Sequence, residues 1–136
     1  MLETIKRDLR NLDFKEVDFE TINFNQYDLN SCDFSGCDFS GKNLDGIKFD
    51  GIIAKDANFQ NCSLNGTSFI HADLNESNFK SVRAPQQPAT FHGANLAQAG
   101  FKYSDIPDAE LKNSNLSGSD FYKSNLKGAD LNGAIL

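Results

Sequence analysis

Large apolar residues recur at every fifth position along nearly the whole chain. A first series runs Leu9, Phe14, Phe19, Phe24, Leu29, Phe34, Phe39, Leu44, Phe49, Phe59, Leu64, Phe69, Leu74 and Phe79, with Ala54 in register as its one small member. A second runs Phe91, Leu96, Phe101, Ile106, Leu111, Leu116, Phe121, Leu126, Leu131 and Leu136. Two residues before most of these centres stands a small or apolar residue, as at Val17, Cys32, Cys37, Ile47, Ala57, Cys62, Ala94 and Ala129. The residue between the two is polar, most often Asp or Asn. The two residues after the centre are polar or Gly.

A period of five fits neither an α-helix nor a simple strand. On a helix, centres five apart would advance by about 500° and spiral around it. Within each unit, however, the centre and the residue two before it obey strand alternation, with the polar residue on the opposite side. The next two residues must then turn the chain. Gly at the second of them, as at Gly36, Gly41, Gly46 and Gly51, suits a positive φ. The pattern predicts a solenoid of very short strands and frequent corners, with every centre pointing inward.

All 12 Phe are centres, and there is no Trp. The predicted core is therefore Phe14, Phe19, Phe24, Phe34, Phe39, Phe49, Phe59, Phe69, Phe79, Phe91, Phe101 and Phe121. At 136 residues the chain is one domain, spanning 1–136. Its net charge of −6 argues against direct nucleic-acid binding but not against binding a DNA-binding protein. The charge is uneven: residues 1–68 carry 12 acidic and 7 basic residues, residues 69–136 carry 7 and 6. The longest apolar run is Ile52-Ile53-Ala54, too short for a membrane span or a signal-peptide core. A soluble, cytoplasmic protein is expected.

The repeated unit resembles that of the pentapeptide-repeat family, A(D/N)LxX with Leu or Phe at the centre. Ala72-Asp73-Leu74, Ala94-Asn95-Leu96, Ala129-Asp130-Leu131, Cys37-Asp38-Phe39 and Ala57-Asn58-Phe59 carry the resemblance. It implies an all-β fold, a right-handed quadrilateral β-helix of about six coils with 20 residues per coil. It also implies a scaffold that binds another protein. Some family members, the quinolone-resistance group among them, look like duplex DNA in shape and charge and bind DNA gyrase or topoisomerase IV.

Departures from the pattern mark local expectations. Tyr27 and Lys42 occupy small inward positions and are expected to distort their sides or turn outward. Ile53 at an outward position and Ala54 at a centre predict irregular packing near Gly51–Lys55. Leu2, Ile5 and Leu9 have helix-like spacing, so residues 1–8 are read as a cap over the first coil. At the C-terminus the repeats run to the last residue, which fits a bare end, a homodimer through the last coil, or a piece of something longer.

From Phe79 to Phe91 the spacing is 12. Val82-Arg83-Ala84 reads as a weak unit, followed by two inserted residues around Pro85–Pro88. The two prolines remove ladder donors, so this 80–90 break is a loop. Arg83, Pro85, Gln86, Gln87 and Pro88 are candidate partner-binding residues, because loops on rigid scaffolds carry specificity. Stacking every 20 residues would place Asp13 over Asp33, Ile53 and Asp73, Asp8 over Asp28, Asp18 over Asp38, and Asn23 over Asn43 and Ser63. Asp13, Asp18, Asp33 and Asp38 are thus a candidate acidic face for a basic partner.

Catalytic chemistry is not expected. Cys32, Cys37 and Cys62 all stand at small inward positions and read as free core residues. His71 and His92 fall singly at turns, and no Cys and His set has zinc spacing. Phosphate-loop, dinucleotide and nucleophile-elbow motifs do not occur. No cofactor or metal is expected.

Overall fold

The computed structural model describes residues 9–11, 13, 14 and 16–136. The expected cap over 1–8 lies outside the described residues. From Leu29 onward the polar residue before each centre joins its counterparts one coil away by parallel bridges. Four ladders result. One links Asp38, Asn58, Asn78, Gly100 and Asp120; the next Asn43, Ser63, Arg83, Asp105 and Asn125. The third joins Lys48, Ser68, Thr90, Glu110 and Asp130, and the fourth Asp33, Ile53, Asp73, Asn95, Asn115 and Ile135. Each side of the solenoid is one bridged residue long, because the chain must turn again within five.

The turns follow from backbone geometry. The centre's carbonyl accepts from the N–H three residues on, as in Cys62 N–H to Phe59 O at 3.1 Å. The residue two after the centre takes positive φ, the third position of a type II-like turn. Gly46 does so at 72°, yet Asp56, Asn61, His71, Glu76 and Tyr103 do so as well, at 57–63°. Repetition of the turn, with its ladder bonds on both sides, holds non-glycine residues in a region they seldom visit.

Inside, nine of the phenylalanines form two columns on opposite sides of the axis. Phe14, Phe39, Phe59, Phe79, Phe101 and Phe121 stack with centroids 4.7–4.9 Å apart and planes within 8° of parallel. That distance is the spacing of paired strands. Phe49, Phe69 and Phe91 form the second column at 5.3–5.4 Å. The columns meet edge to face, as at Phe59–Phe69 (82°) and Phe79–Phe91 (90°), the geometry that ring quadrupoles favour. Leu, Ile and Ala centres, with Phe34 on the side of the Asp33 ladder, fill the other two sides. Phe19, Phe34, Phe39, Phe49, Phe59, Phe69, Phe79, Phe91 and Phe101 are buried, whereas Phe14, Phe24 and Phe121 are only half-buried, near the ends of the described stack.

Three expectations are corrected. Gly51–Lys55 is regular: Ile53 bridges both Asp33 and Asp73, and Ala54 is fully buried as an ordinary centre. At Lys42 only the distortion is corrected: its carbonyl accepts from Ser63 N–H at 3.0 Å, with the side chain half-buried. The third concerns register. Asp13 bridges Asp38, not Asp33, and Leu9 N–H donates to Asp33 O, so the first level is offset by five residues. The extra unit is taken up around a 3-10 turn at Phe24–Gln26, capped by the Asn23 side chain. Tyr27 follows this turn and packs against the core, half-buried.

Candidate functional site

The corrected register regroups the acidic candidates. Asp13 and Asp38 are consecutive on one ladder, after which the column continues as Asn58 and Asn78. Asp33 belongs to the neighbouring ladder, beneath Ile53, and its carboxylate lies 3.9 Å from Arg10. Asp18 does not stand over Asp38, since Asp13 holds that place. It lies beside Glu20, whose carboxylate accepts from the Asn43 amide at 2.8 Å. The fourth predicted column holds for Asn43 over Ser63 but not for Asn23, which caps the 3-10 turn instead. A pairing of Asp8 with Asp28 lies outside the described residues.

These carboxylates also have a local task. Asp18, Asp33 and Asp38 each accept, through Oδ1, the N–H two residues on, at 2.9 Å. Asn58, Asn78, Asn115 and Asn125 do the same at 2.9–3.0 Å. This is the Asx turn, which needs an oxygen and not a charge. Asp and Asn therefore interchange at the bridge position, and the surface charge of each ladder varies without cost to the turn.

The insertion after Val82-Arg83-Ala84 is two residues, as expected: Ser63 bridges Arg83 at a spacing of 20, and Ser68 bridges Thr90 at 22. Ala84 is a buried centre and Ala89 a buried inward residue. Between them Pro85, Gln86, Gln87 and Pro88 are all exposed, as is Arg83. The excursion is nonetheless pinned. Asn65 Oδ1 accepts from Gln86 N–H at 2.8 Å and from Gln87 N–H at 3.2 Å, and Gly66 N–H donates to Gln87 O at 3.2 Å. Gly66 beneath the loop holds φ at 66°, a conformation that L side chains rarely adopt, with Gln87 Oε1 lying over it.

The loop and the Asp13–Asp38 column are thus separate features. The three cysteines are buried and form no disulfide with one another. Cys62 donates its thiol to Phe39 O at 3.0 Å, and burial pushes its pKa up to about 12. His71 and His92 are not isolated from one another, their rings lying 5.6 Å apart at one corner. No group of three metal-ligating side chains occurs among the described residues, nor is any helix there long and apolar enough to cross a membrane.

Two surface aromatics escaped the sequence reading. Tyr103 and Tyr122 are exposed on adjacent coils with centroids 5.9 Å apart. Their signal was present: both break the polar-or-Gly rule for the two positions after a centre.

Repeats in four ladders with five-residue sides define the class. The profile of the pentapeptide repeats family matches residues 28–51, 55–83 and 108–136, in eight copies, and the chain belongs to that family. Among solved structures it is similar to a pentapeptide repeat protein, Rfr23, from the cyanobacterium Cyanothece 51142. That likeness has a TM-score of 0.60 at 14% identity, covering 94% of this chain and 86% of the other. It is also similar to trypsin-treated QnrB1, a plasmid-mediated fluoroquinolone resistance protein. Here the TM-score is 0.56 at 25% identity, covering 92% and 72%. No curated protein matches by sequence.

Proposed function

We propose that the chain is a non-enzymatic scaffold, a right-handed β-helix of about six coils, that presents fixed surface features to another protein in the cytoplasm. The observation that carries this reading is the Arg83–Pro88 segment. The side chains of Arg83, Pro85, Gln86, Gln87 and Pro88 are exposed while the backbone at Gln86 and Gln87 is pinned to Asn65 and Gly66. Such a loop offers contacts at small ordering cost. The Asp13 and Asp38 carboxylates add an acidic patch that would steer a basic partner.

The test is capture of partners from the native host. Wild type is compared with a chain lacking Gln86 and Gln87, and with the Asp13→Asn, Asp18→Asn, Asp33→Asn and Asp38→Asn combination. Loss of one protein from either variant, with the fold intact, supports the scaffold. The same proteins captured by all three chains would refute these surfaces.

A second reading is a DNA-mimicking binder of DNA gyrase or topoisomerase IV. It rests on the family resemblance, on the 25% identity to a fluoroquinolone resistance protein, and on the negative charge of residues 1–68. A gyrase supercoiling assay decides it: no effect at micromolar protein rejects the mimic.

A further inference from the structure

On a chain of net charge −6, one corner is basic and aromatic. Tyr103 and Tyr122 keep 49% and 55% of their surface exposed, with rings edge to face at 83°. Lys80 Nζ stands 5.9 Å from the Tyr103 centroid and Lys123 Nζ 5.5 Å from that of Tyr122. Lys102, half exposed between them, reaches Asp120 at 3.4 Å. Lys80 and Lys123 thus lie over aromatic faces, and neither makes an ion pair among the described residues.

The corner is held rigidly. Lys80, Lys102 and Tyr122 directly follow Phe79, Phe101 and Phe121, whose rings stack at 4.8 and 4.7 Å. Tyr103 N–H donates to Tyr122 O, and Ser81 N–H to Lys102 O, both at 2.9 Å. Neither tyrosine is needed for the core. Exposed, preordered tyrosines are the kind of side chain that anchors interface centres, and the lysines around them set the sign of charge a partner must bring.

We infer that this corner docks a short, extended, acidic segment of another protein. Carboxylates would meet Lys80, Lys102 and Lys123 while apolar side chains lie against the Tyr103 and Tyr122 rings. Three levels span about 10 Å, the length of three to four extended residues. A nucleic acid suits the corner poorly. A duplex carries a charge about every 1.7 Å over a length far beyond three levels, and the coil next to Lys80 offers only the uncharged Gln60 and Asn61, Asn61 N–H donating to Lys80 O at 2.9 Å. The segment's charge stays within the patch. This site is distinct from the Arg83–Pro88 loop and from the Asp13–Asp38 patch, and goes beyond the scaffold reading.

The test uses the full chain and a fluorescein-labelled eight-residue peptide of Glu and Asp with two Leu. An otherwise identical Gln and Asn peptide and a single-stranded octanucleotide are the comparators. The acidic peptide is expected to bind at least tenfold tighter than the amide peptide, with added salt weakening it. Lys80→Glu with Lys123→Glu, and Tyr103→Ser with Tyr122→Ser, should each weaken binding at least tenfold with unchanged circular dichroism. The milder Lys123→Gln and Tyr122→Ser single variants, expected to weaken it about threefold, replace any double variant that unfolds. The chain lacking Gln86 and Gln87 should bind the peptide as wild type does. Equal binding of the two peptides, indifference to the variants, or tighter binding of the octanucleotide would overturn the proposal.

Discussion

Asn25 completes a backbone ladder with its side chain: its Oδ1 accepts from Lys48 N–H at 2.8 Å, and its Nδ2 donates to Gly46 O at 2.8 Å. The carboxamide offers one acceptor and one donor in the geometry of a peptide group, on the third ladder beneath Lys48. The 3-10 turn at Phe24–Gln26 leaves no bridged residue there, and Asn25 fills the place. Asn25→Ala is expected to cost about 1 kcal/mol, the net worth of an exposed pair of such bonds. Hydrogen exchange at Lys48 should quicken, and Asn25→Asp should retain that amide's protection because the acceptor remains. Unchanged Lys48 exchange in Asn25→Ala would show that water serves equally well.

The stacked phenylalanines should differ sharply in their importance. Phe59 is fully buried between Phe39 and Phe79, whereas Phe121 is half-buried. Phe59→Ala is expected to lose about 3–5 kcal/mol, the range for a large core deletion, and Phe121→Ala less than half of that. Phe59→Asp adds an unpaired buried charge and should abolish folding. Urea denaturation of the variants measures this ranking, which equal losses would contradict.

Cys62 makes stability fall at alkaline pH. Its pKa is raised by burial from 9.0 to about 12, with Asp38 adding a smaller push in the same direction. The neutral thiol is therefore the form the fold favours. Its contribution is complete below about pH 9 and is lost as pH rises toward 12. Cys62→Ala should flatten the decline across that window. At neutral pH, Cys62 in the native protein should resist a thiol reagent that labels it on unfolding.

The sequence exposed the in-or-out pattern almost completely, because each strand of this fold is shorter than its own repeat. Ala54 and Ala84 could be recognised as centres from their place in the count alone, and both are buried. The two-residue insertion before Thr90 was legible because it breaks the phase. The extra unit in the first coil was not: five added residues leave every side chain's inward or outward direction intact while rotating the chain onto the next face. Asp13 therefore moved from Asp33 to Asp38 without a trace in the pattern. Inward Ser77 and Ser114 were also missed, since the rule favoured apolar residues. Their hydroxyls are buried but donate to Leu74 O and Leu111 O, three residues back. Hydroxyls that bond locally satisfy the same position as Ala or Cys.

Ladder register decides which side chains share a face, and hence what any partner meets. A disulfide trap reads it directly. Bridged residues on neighbouring coils lie within the Cα separation a disulfide allows, whereas those on different ladders do not. In the full chain, with Cys32, Cys37 and Cys62 buried, the Asp13→Cys and Asp38→Cys pair should oxidise readily to a single intramolecular bond under mild conditions. The Asp13→Cys and Asp33→Cys pair should remain reduced. Efficient closure of the second pair in place of the first would contradict the five-residue offset and return Asp13 to the ladder of Asp33.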